Sequence, residues 1–175
     1  MNPELEKHLK VQIDDWLKHD VITPVSSPWN LPLFAVPKKN GKVRFVQDAR
    51  ELNKVTKKDA HSIPNIEDSL ARLSQSKIFT ALDLAGTYHC MEIKPEHREK
   101  TAFNTSFGSY AFKKLCFGLC NAPSSFMRLV TKILEGIPTS SVLQYLDDSC
   151  LHSRDINSHF AILDDVLNRF KLAGL

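Results

Sequence analysis

Nothing in the 175-residue chain approaches the ~20 consecutive apolar residues that a membrane-crossing helix requires. The N-terminus, Met1 to Lys10, is charged and lacks the apolar stretch of a signal peptide. These absences give the expectation of a soluble, intracellular protein with no membrane partner, cytoplasmic, nuclear or carried in a particle. Cysteine is scarce: Cys90, Cys116, Cys120 and Cys150 are the only four, and no disulfides are expected. Cys116 and Cys120 stand four apart with no second Cys or His pair nearby to complete a tetrahedral site, which argues against zinc. Charge of one sign is lacking as well. Lys and Arg number 23 against 20 Asp and Glu, a net +3, too little to mark a nucleic-acid or membrane binder by bulk charge. Any such role has to rest on local patches. No internal repeat or low-complexity tract occurs. What is present, 42% hydrophobic and 25% charged residues, is ordinary for one domain or two small subdomains that bury a real core.

Leu5, Leu9, Ile13 and Trp16 recur at helical spacing, so the first twenty residues read as one amphipathic helix. Pro24, Pro28, Pro32 and Pro37 then forbid helix. Leu31 to Val36 and Val43 to Asp48 are short and β-prone, and the Asn40-Gly41 step between them predicts a hairpin with a basic tip, Lys38-Lys39-Asn40-Gly41-Lys42. Ile66, Leu70 and Leu73 mark a short helix. Ile78 to Leu84 reads as a buried strand whose one charge, Asp83, lies at its end. Strands are expected over His89 to Ile93, Thr101 to Asn104 and Tyr110 to Phe112. Phe126, Val130 and Ile133 share one face of a helix begun near Pro123. Val142 to Tyr145 and Cys150 to His152 are strand-like and flank Asp147-Asp148, the pattern of a hairpin with two carboxylates at its bend. Ile156, Phe160, Leu163, Leu167 and Phe170 close the chain as a helix. This order favours an α+β fold, with helices on one face of an antiparallel sheet and the first sixty residues an appended β-rich subdomain.

Two features carry chemistry. Asp83 and Asp147-Asp148 end apolar segments, and if their strands are neighbours the carboxylates converge where like charges repel. Such a cluster calls for a cation. Hard oxygen donors select Mg²⁺ or Mn²⁺, and two such ions about 4 Å apart activate a 3′-hydroxyl and stabilise a leaving pyrophosphate. The bland alternative is a solvated Asp-Asp turn; the apolar runs on both sides of each acid weigh against it. The second feature is the excess of Lys38, Lys39, Lys42, Arg44, Arg50, Lys54, Lys57 and Lys58 over Asp48 and Glu51, which suits phosphate contacts and is equally read as a solvated face.

Six blocks in order give the chain a family resemblance. Ser27-Pro28-Trp29, Val36-Pro37-Lys38-Lys39-Asn40-Gly41, Val43 through Lys54 (VRFVQDARELNK), Phe79-Thr80-Ala81-Leu82-Asp83-Leu84, Phe117-Gly118-Leu119-Cys120-Asn121-Ala122-Pro123 and Tyr145-Leu146-Asp147-Asp148 resemble the fingers and palm motifs of reverse transcriptases of the retroviral type, most like those of gypsy-like LTR retrotransposons. The resemblance covers nearly the whole chain. It implies a right-hand polymerase, with a fingers subdomain over 1–58 and 91–121 and a palm over 59–90 and 122–175, the palm an antiparallel sheet backed by helices.

The resemblance also implies roles. Asp83 and Asp147 look like the carboxylates that ligate two Mg²⁺ ions, for which Mn²⁺ can substitute, with Asp148 the third acid and the Leu84 carbonyl a further ligand. Arg44 and a lysine of the Lys38-Lys39 pair resemble the residues that grip the triphosphate of a dNTP. Gly86 and Thr87 would bring backbone amides close to it, and Tyr88 looks like the steric gate against a ribose 2′-hydroxyl. Phe117, where retroviral enzymes carry glutamine, would pack on the nucleotide. Arg50, Asn121, Pro123, Tyr145 and Leu146 resemble residues near an RNA or DNA template and its primer, Leu146 replacing the usual methionine or valine. The family's primer grip, thumb and RNase H domain would lie beyond Leu175, in the remainder of a pol polyprotein that also carries integrase. The expected function is template-directed addition of deoxynucleoside monophosphates with release of pyrophosphate. The rival is a catalytically incapable remnant that binds nucleic acid or protein. A different nucleotidyltransferase with a similar palm is weakened by the block Val43 to Lys54.

Overall fold

Asn2 and Pro3 start the first helix. The Glu4 amide donates to Asn2 Oδ1 at 3.1 Å, satisfying a first-turn donor, and Pro3 supplies a preset φ where no amide is needed. The computed structural model describes residues 2–37, 43–59, 71, 73–84, 87–145 and 148–175. In chain order these form α1 (Pro3–Lys18), β1 (Ile22–Pro24), β2 (Leu33–Pro37), β3 (Val43–Gln47), α2 (Arg50–Val55), β4 (Ile78–Asp83), a 3₁₀ turn (Thr87–Cys90), the single turn α3 (Pro95–Arg98), a second 3₁₀ turn (Glu99–Thr101), β5 (Phe103–Thr105), β6 (Gly108–Phe112), α4 (Ala122–Ile133), β7 (Val142–Tyr145), β8 (Asp148–Ser153) and α5 (Ile156–Leu172). The chain divides into two units, one of residues 1–58 and 88–122, the other of 59–87 and 123–175. The predicted helix around Ile66 and Leu70 and the basic hairpin tip at 38–42 lie outside the described residues.

The first unit is built on α1. Leu9, Ile13 and Trp16 are its buried stripe, and they meet Val21, Ile22, Phe45, Ile93, Phe103, Tyr110, Phe112 and Cys116 in one core. The Trp16 ring stands edge-on to Phe112 at 5.3 Å and to Phe103 at 6.3 Å. The antiparallel sheet β1-β6-β5 lies over this core, with Ile22 opposite Phe112 and Phe103 opposite Tyr110. The first sixty residues are therefore no separate appendage: β1 has its hydrogen-bond partner in β6. The hairpin β2-β3 pairs Leu33 with Gln47 and Val36 with Arg44. The strand expected over His89 to Ile93 is instead a 3₁₀ turn followed by the isolated bridge Glu92–Lys114. Ile93 packs into the core as a single side chain, and among the described residues the segment's bridge is Glu92–Lys114.

The second unit carries the antiparallel sheet β4-β8-β7. Its strand β4 alternates between half-buried and exposed residues, with Phe79 exposed, so only one face is covered and the fully buried strand expected from the apolar run is not found. The central strand is β8, whose Ser149, Leu151 and His152 are buried. In α4, Phe126, Met127 and Val130 are buried. Asp155 caps α5 by accepting from the Ser158 amide at 2.9 Å. The buried residues of α5 are His159, Val166 and Phe170, whereas Ile156, Phe160 and Leu167 are exposed. Of the apolar stripe read from the sequence, Phe170 is buried and Leu163 half-buried. A buried histidine supplies the polar anchor instead: the two ring nitrogens of His159 hydrogen-bond Thr80 Oγ1 (2.8 Å) and Ser153 Oγ (3.0 Å). Arg169 ties α5 to the end of α4 by donating to the carbonyls of Ile133 (3.2 Å) and Glu135 (2.6 Å).

Candidate active site

Strand register places the acids of the second unit. β4 and β8 pair from Ile78–Ser153 through to Asp83–Asp148, so the last residue of one strand faces the first residue of the other. Directly opposed residues in an antiparallel pair point to the same face with their Cβ atoms roughly 4.5–5.5 Å apart. Two exposed carboxylates therefore stand side by side at one end of the sheet. Tyr145, the last residue of β7, is opposite Asp148 on its other side. Asp148 begins a strand where the sequence suggested the bend itself; Leu146 and Asp147 lie outside the described residues. One residue beneath the acids, Ser149 Oγ donates to Gln144 Oε1 on the neighbouring strand. No ion pair among the described residues includes Asp83 or Asp148. Adjacent like charges without a cationic partner repel, by about 1 kcal/mol at 4 Å even in water, and a divalent cation relieves that repulsion. The donor set, exposed carboxylate oxygens, fits a hard cation such as Mg²⁺. Leu84, just past β4, is half-buried.

The first unit holds a separate cluster around Phe117. The Arg44 guanidinium lies over its ring, 4.9 Å from the centroid. Tyr88, buried to 8% exposure, meets it at 5.0 Å and 74°, and His89 at 6.4 Å and 84°. His89 also stacks on Phe112 at 6.5 Å and donates from Nδ1 to the Leu115 carbonyl at 3.0 Å. Burial lowers its pKa below the usual histidine value. Thr87 opens the 3₁₀ turn that carries Tyr88 and His89; Lys38, Lys39 and Gly86 lie outside the described residues.

Residues 116–120 are held by two side chains that sequence reasoning did not single out. Asn53 Nδ2 donates to the Gly118 carbonyl at 2.8 Å, and Asn53 Oδ1 accepts from the Cys120 amide at 2.9 Å. Buried Gln47 donates to the Thr101 carbonyl at 2.6 Å and accepts from Cys116 Sγ at 3.3 Å. Gly118 sits at φ +106° with its α-carbon so near Gln47 that a Cβ there would fall 2.4 Å from the Gln47 carbonyl oxygen. Both Gln47 and Asn53 belong to the block Val43 to Lys54; an amide side chain at a buried position of β3 is the signal for Gln47, whereas Asn53, half-buried on α2, has none. The remaining predicted residues join neither cluster. Arg50 forms a two-pronged ion pair with Asp48 (2.9 and 2.7 Å), which holds the Asp48 carboxyl below its ordinary range. Asn121 Nδ2 donates to the Lys57 carbonyl at 2.9 Å, and Pro123 lies in the first turn of α4.

A model of the family "Reverse transcriptase (RNA-dependent DNA polymerase)" matches residues 36–175. The chain belongs to the reverse transcriptase family. Among curated relatives, the retrovirus-related Pol polyprotein from transposon opus of Drosophila melanogaster is 39% identical over 180 residues, covering 100% of this chain and 18% of the relative. The Tf2-3 polyprotein of Schizosaccharomyces pombe is 34% identical, covering 94% of this chain and 12% of its own length. The chain therefore spans less than a fifth of these retrotransposon polyproteins. The protease-reverse transcriptase of prototype foamy virus matches with a TM-score of 0.90 at 34% identity, over 99% of this chain and 23% of that one. A foamy viral protease-reverse transcriptase solved with an RNA/DNA hybrid matches at 0.89 and 26% identity, again over 99% and 23%. The helices and antiparallel sheets of this chain are thus those of a retroviral reverse transcriptase's fingers and palm portion.

Proposed function

We propose that this chain is the catalytic core of an RNA-directed DNA polymerase that adds deoxynucleoside monophosphates to a primer 3′-hydroxyl and releases pyrophosphate. The observation that carries the reading is the register that sets Asp83 directly across from Asp148. The division of the chain near residues 58, 88 and 122 supports reading 1–58 and 91–121 as fingers and 59–90 and 122–175 as palm. Asp83 and Asp148 hold Mg²⁺, or Mn²⁺ in its place, together with Asp147 and the Leu84 carbonyl. Two such ions supply activation of the attacking hydroxyl and charge stabilisation at the leaving oxygen. The protein's own residues do the rest. Arg44 and the Lys38-Lys39 pair neutralise the triphosphate, with the backbone at Gly86 and Thr87 beside it. Tyr88 excludes a ribose 2′-hydroxyl. Arg50, Asn121, Pro123, Tyr145 and Leu146 lie along the template and primer. The relatives' length supports a place inside a larger pol polyprotein, and the foamy viral complex with an RNA/DNA hybrid supports a nucleic-acid duplex as partner. The work is intracellular, consistent with a retrotransposon's replication.

The test is primer extension on poly(rA)/oligo(dT) with Mg²⁺ or Mn²⁺, comparing the chain with Asp148→Asn and with a version continued into the rest of its polyprotein. Asp148→Asn removes one charge from a repulsive pair, so it should leave the melting temperature unchanged or raised while cutting incorporation by roughly 100-fold or more, the scale of losing a group that stabilises the transition state. Extension by the variant at the wild-type rate would end the assignment. Silence of both chain and continued version would favour a nucleic-acid-binding remnant.

A further inference from the structure

We infer that Phe117 is a positioning residue: it holds the triphosphate-binding cation and the sugar-excluding aromatic in one rigid array and so couples nucleotide affinity to deoxyribose selection. This deepens the proposed polymerase function and rests on it. One face of the Phe117 ring is covered by the Arg44 guanidinium at 4.9 Å, and the Tyr88 ring stands against it at 5.0 Å and 74°. Neither geometry is accidental to the local fold. Phe117 is itself held between Cys116, hydrogen-bonded to Gln47, and Gly118, pinned by Asn53 and packed on the Gln47 carbonyl. On the far side, His89 locks the turn that carries Tyr88 through its bond to the Leu115 carbonyl and its stack on Phe112.

An arginine on an exposed hairpin strand has several rotatable bonds and no ion-pair partner among the described residues, so its guanidinium would otherwise sample many positions. A ring beneath it narrows that ensemble before any anion arrives, and preorganised charge binds a triphosphate at smaller entropic cost. The flat, delocalised guanidinium suits this contact better than an ammonium. Because the same ring buttresses Tyr88, loss of the ring disturbs both functions together. A residue that merely packed on the base would alter affinity alone.

The contact is read directly by NMR. Arg44 side-chain protons over an aromatic face are shifted upfield; Phe117→Leu should return them to the values of a free arginine, and Phe117→Tyr, which keeps the ring, should preserve the shift. Unmoved Arg44 resonances in a folded Phe117→Leu would overturn the inference. The functional half uses equilibrium binding, to the chain on poly(rA)/oligo(dT), of dTTP and of 5-methyl-UTP, which differs from it only by the 2′-hydroxyl. Phe117→Leu should weaken dTTP binding by roughly two- to thirtyfold, the range of a cation–π contact, and lower the preference for dTTP over 5-methyl-UTP, with both restored in Phe117→Tyr. In an Arg44→Met background, the same change should have little further effect on dTTP affinity. Binding and preference unchanged in Phe117→Leu would overturn the positioning role. Absence of nucleotide binding in every variant, with the ring shift intact, would instead overturn the polymerase reading on which the role depends, and with it the role.

Discussion

At the scale of the residue, carboxylates at strand ends were legible and a buried thiol was not. A charge at the end of an apolar run is visible in a sequence, so Asp83 and the Asp147-Asp148 pair announce themselves, and the strand pairing brings Asp83 and Asp148 together. The chemistry of Cys116 was invisible, because a cysteine's spacing says nothing of its burial. Its thiol is fully enclosed and its pKa is pushed from 9.0 up to about 12 by desolvation. The raised value has a consequence of definite sign. Above pH 9 the unfolded chain releases this proton while the folded chain keeps it, so stability falls as pH rises through the window between the two values, by up to about 1.4 kcal/mol per pH unit. Urea unfolding at pH 8 and pH 11 should show a larger loss for the wild type than for Cys116→Ala. Equal losses would mean that the thiol titrates normally. In the native state Cys116 should also resist alkylation at pH 8 and react only once urea has unfolded the chain.

At the scale of the element, periodicity succeeded where one surface decides an element and failed where two compete. The stripe Leu9, Ile13, Trp16 has only the first unit's core to face, and α1 forms as the spacing predicts. In α5 the longer apolar stripe loses to a shorter one anchored by His159, because the hydroxyls of Thr80 and Ser153 offer that ring two hydrogen bonds inside the second unit. The stretch from His89 to Ile93 reads as a strand by propensity, yet it becomes a turn whose side chains are each claimed by different neighbours. The loop around Phe117 has no periodic signal at all; its shape depends on Gln47, Asn53 and a glycine in the left-handed region. Gly118→Ala would add a Cβ 2.4 Å from a backbone oxygen at φ +106°, a clash and a backbone strain together. We expect a loss of roughly 2–4 kcal/mol in denaturant unfolding. A change below about 0.5 kcal/mol would show that the loop shifts freely.

At the scale of the whole molecule, α5 leaves Ile156 (48%), Phe160 (60%) and Leu167 (47%) open to solvent. An apolar face of this kind associates unless something covers it. Phe160→Lys should reduce concentration-dependent light scattering of the chain without lowering its melting temperature, since the ring contributes little to the core it barely touches. Undiminished scattering would place the sticky surface elsewhere. The interleaving of the two units has a kinetic meaning too. The second unit's sheet joins a strand made before the segment 88–122 to strands made after it, and the acid pair closes only when that long excursion is complete. Contacts so distant along the chain form late, because their loop entropy must be met before they return any energy. On a ribosome, α1 and its sheet have all their partners by the time Ala122 emerges, whereas Asp83 must wait for Asp148. A nascent chain cut short between Ala122 and Asp148 carries a nearly complete first unit without the Asp83–Asp148 pair, so the order of synthesis itself withholds the proposed metal site until β8 has been made.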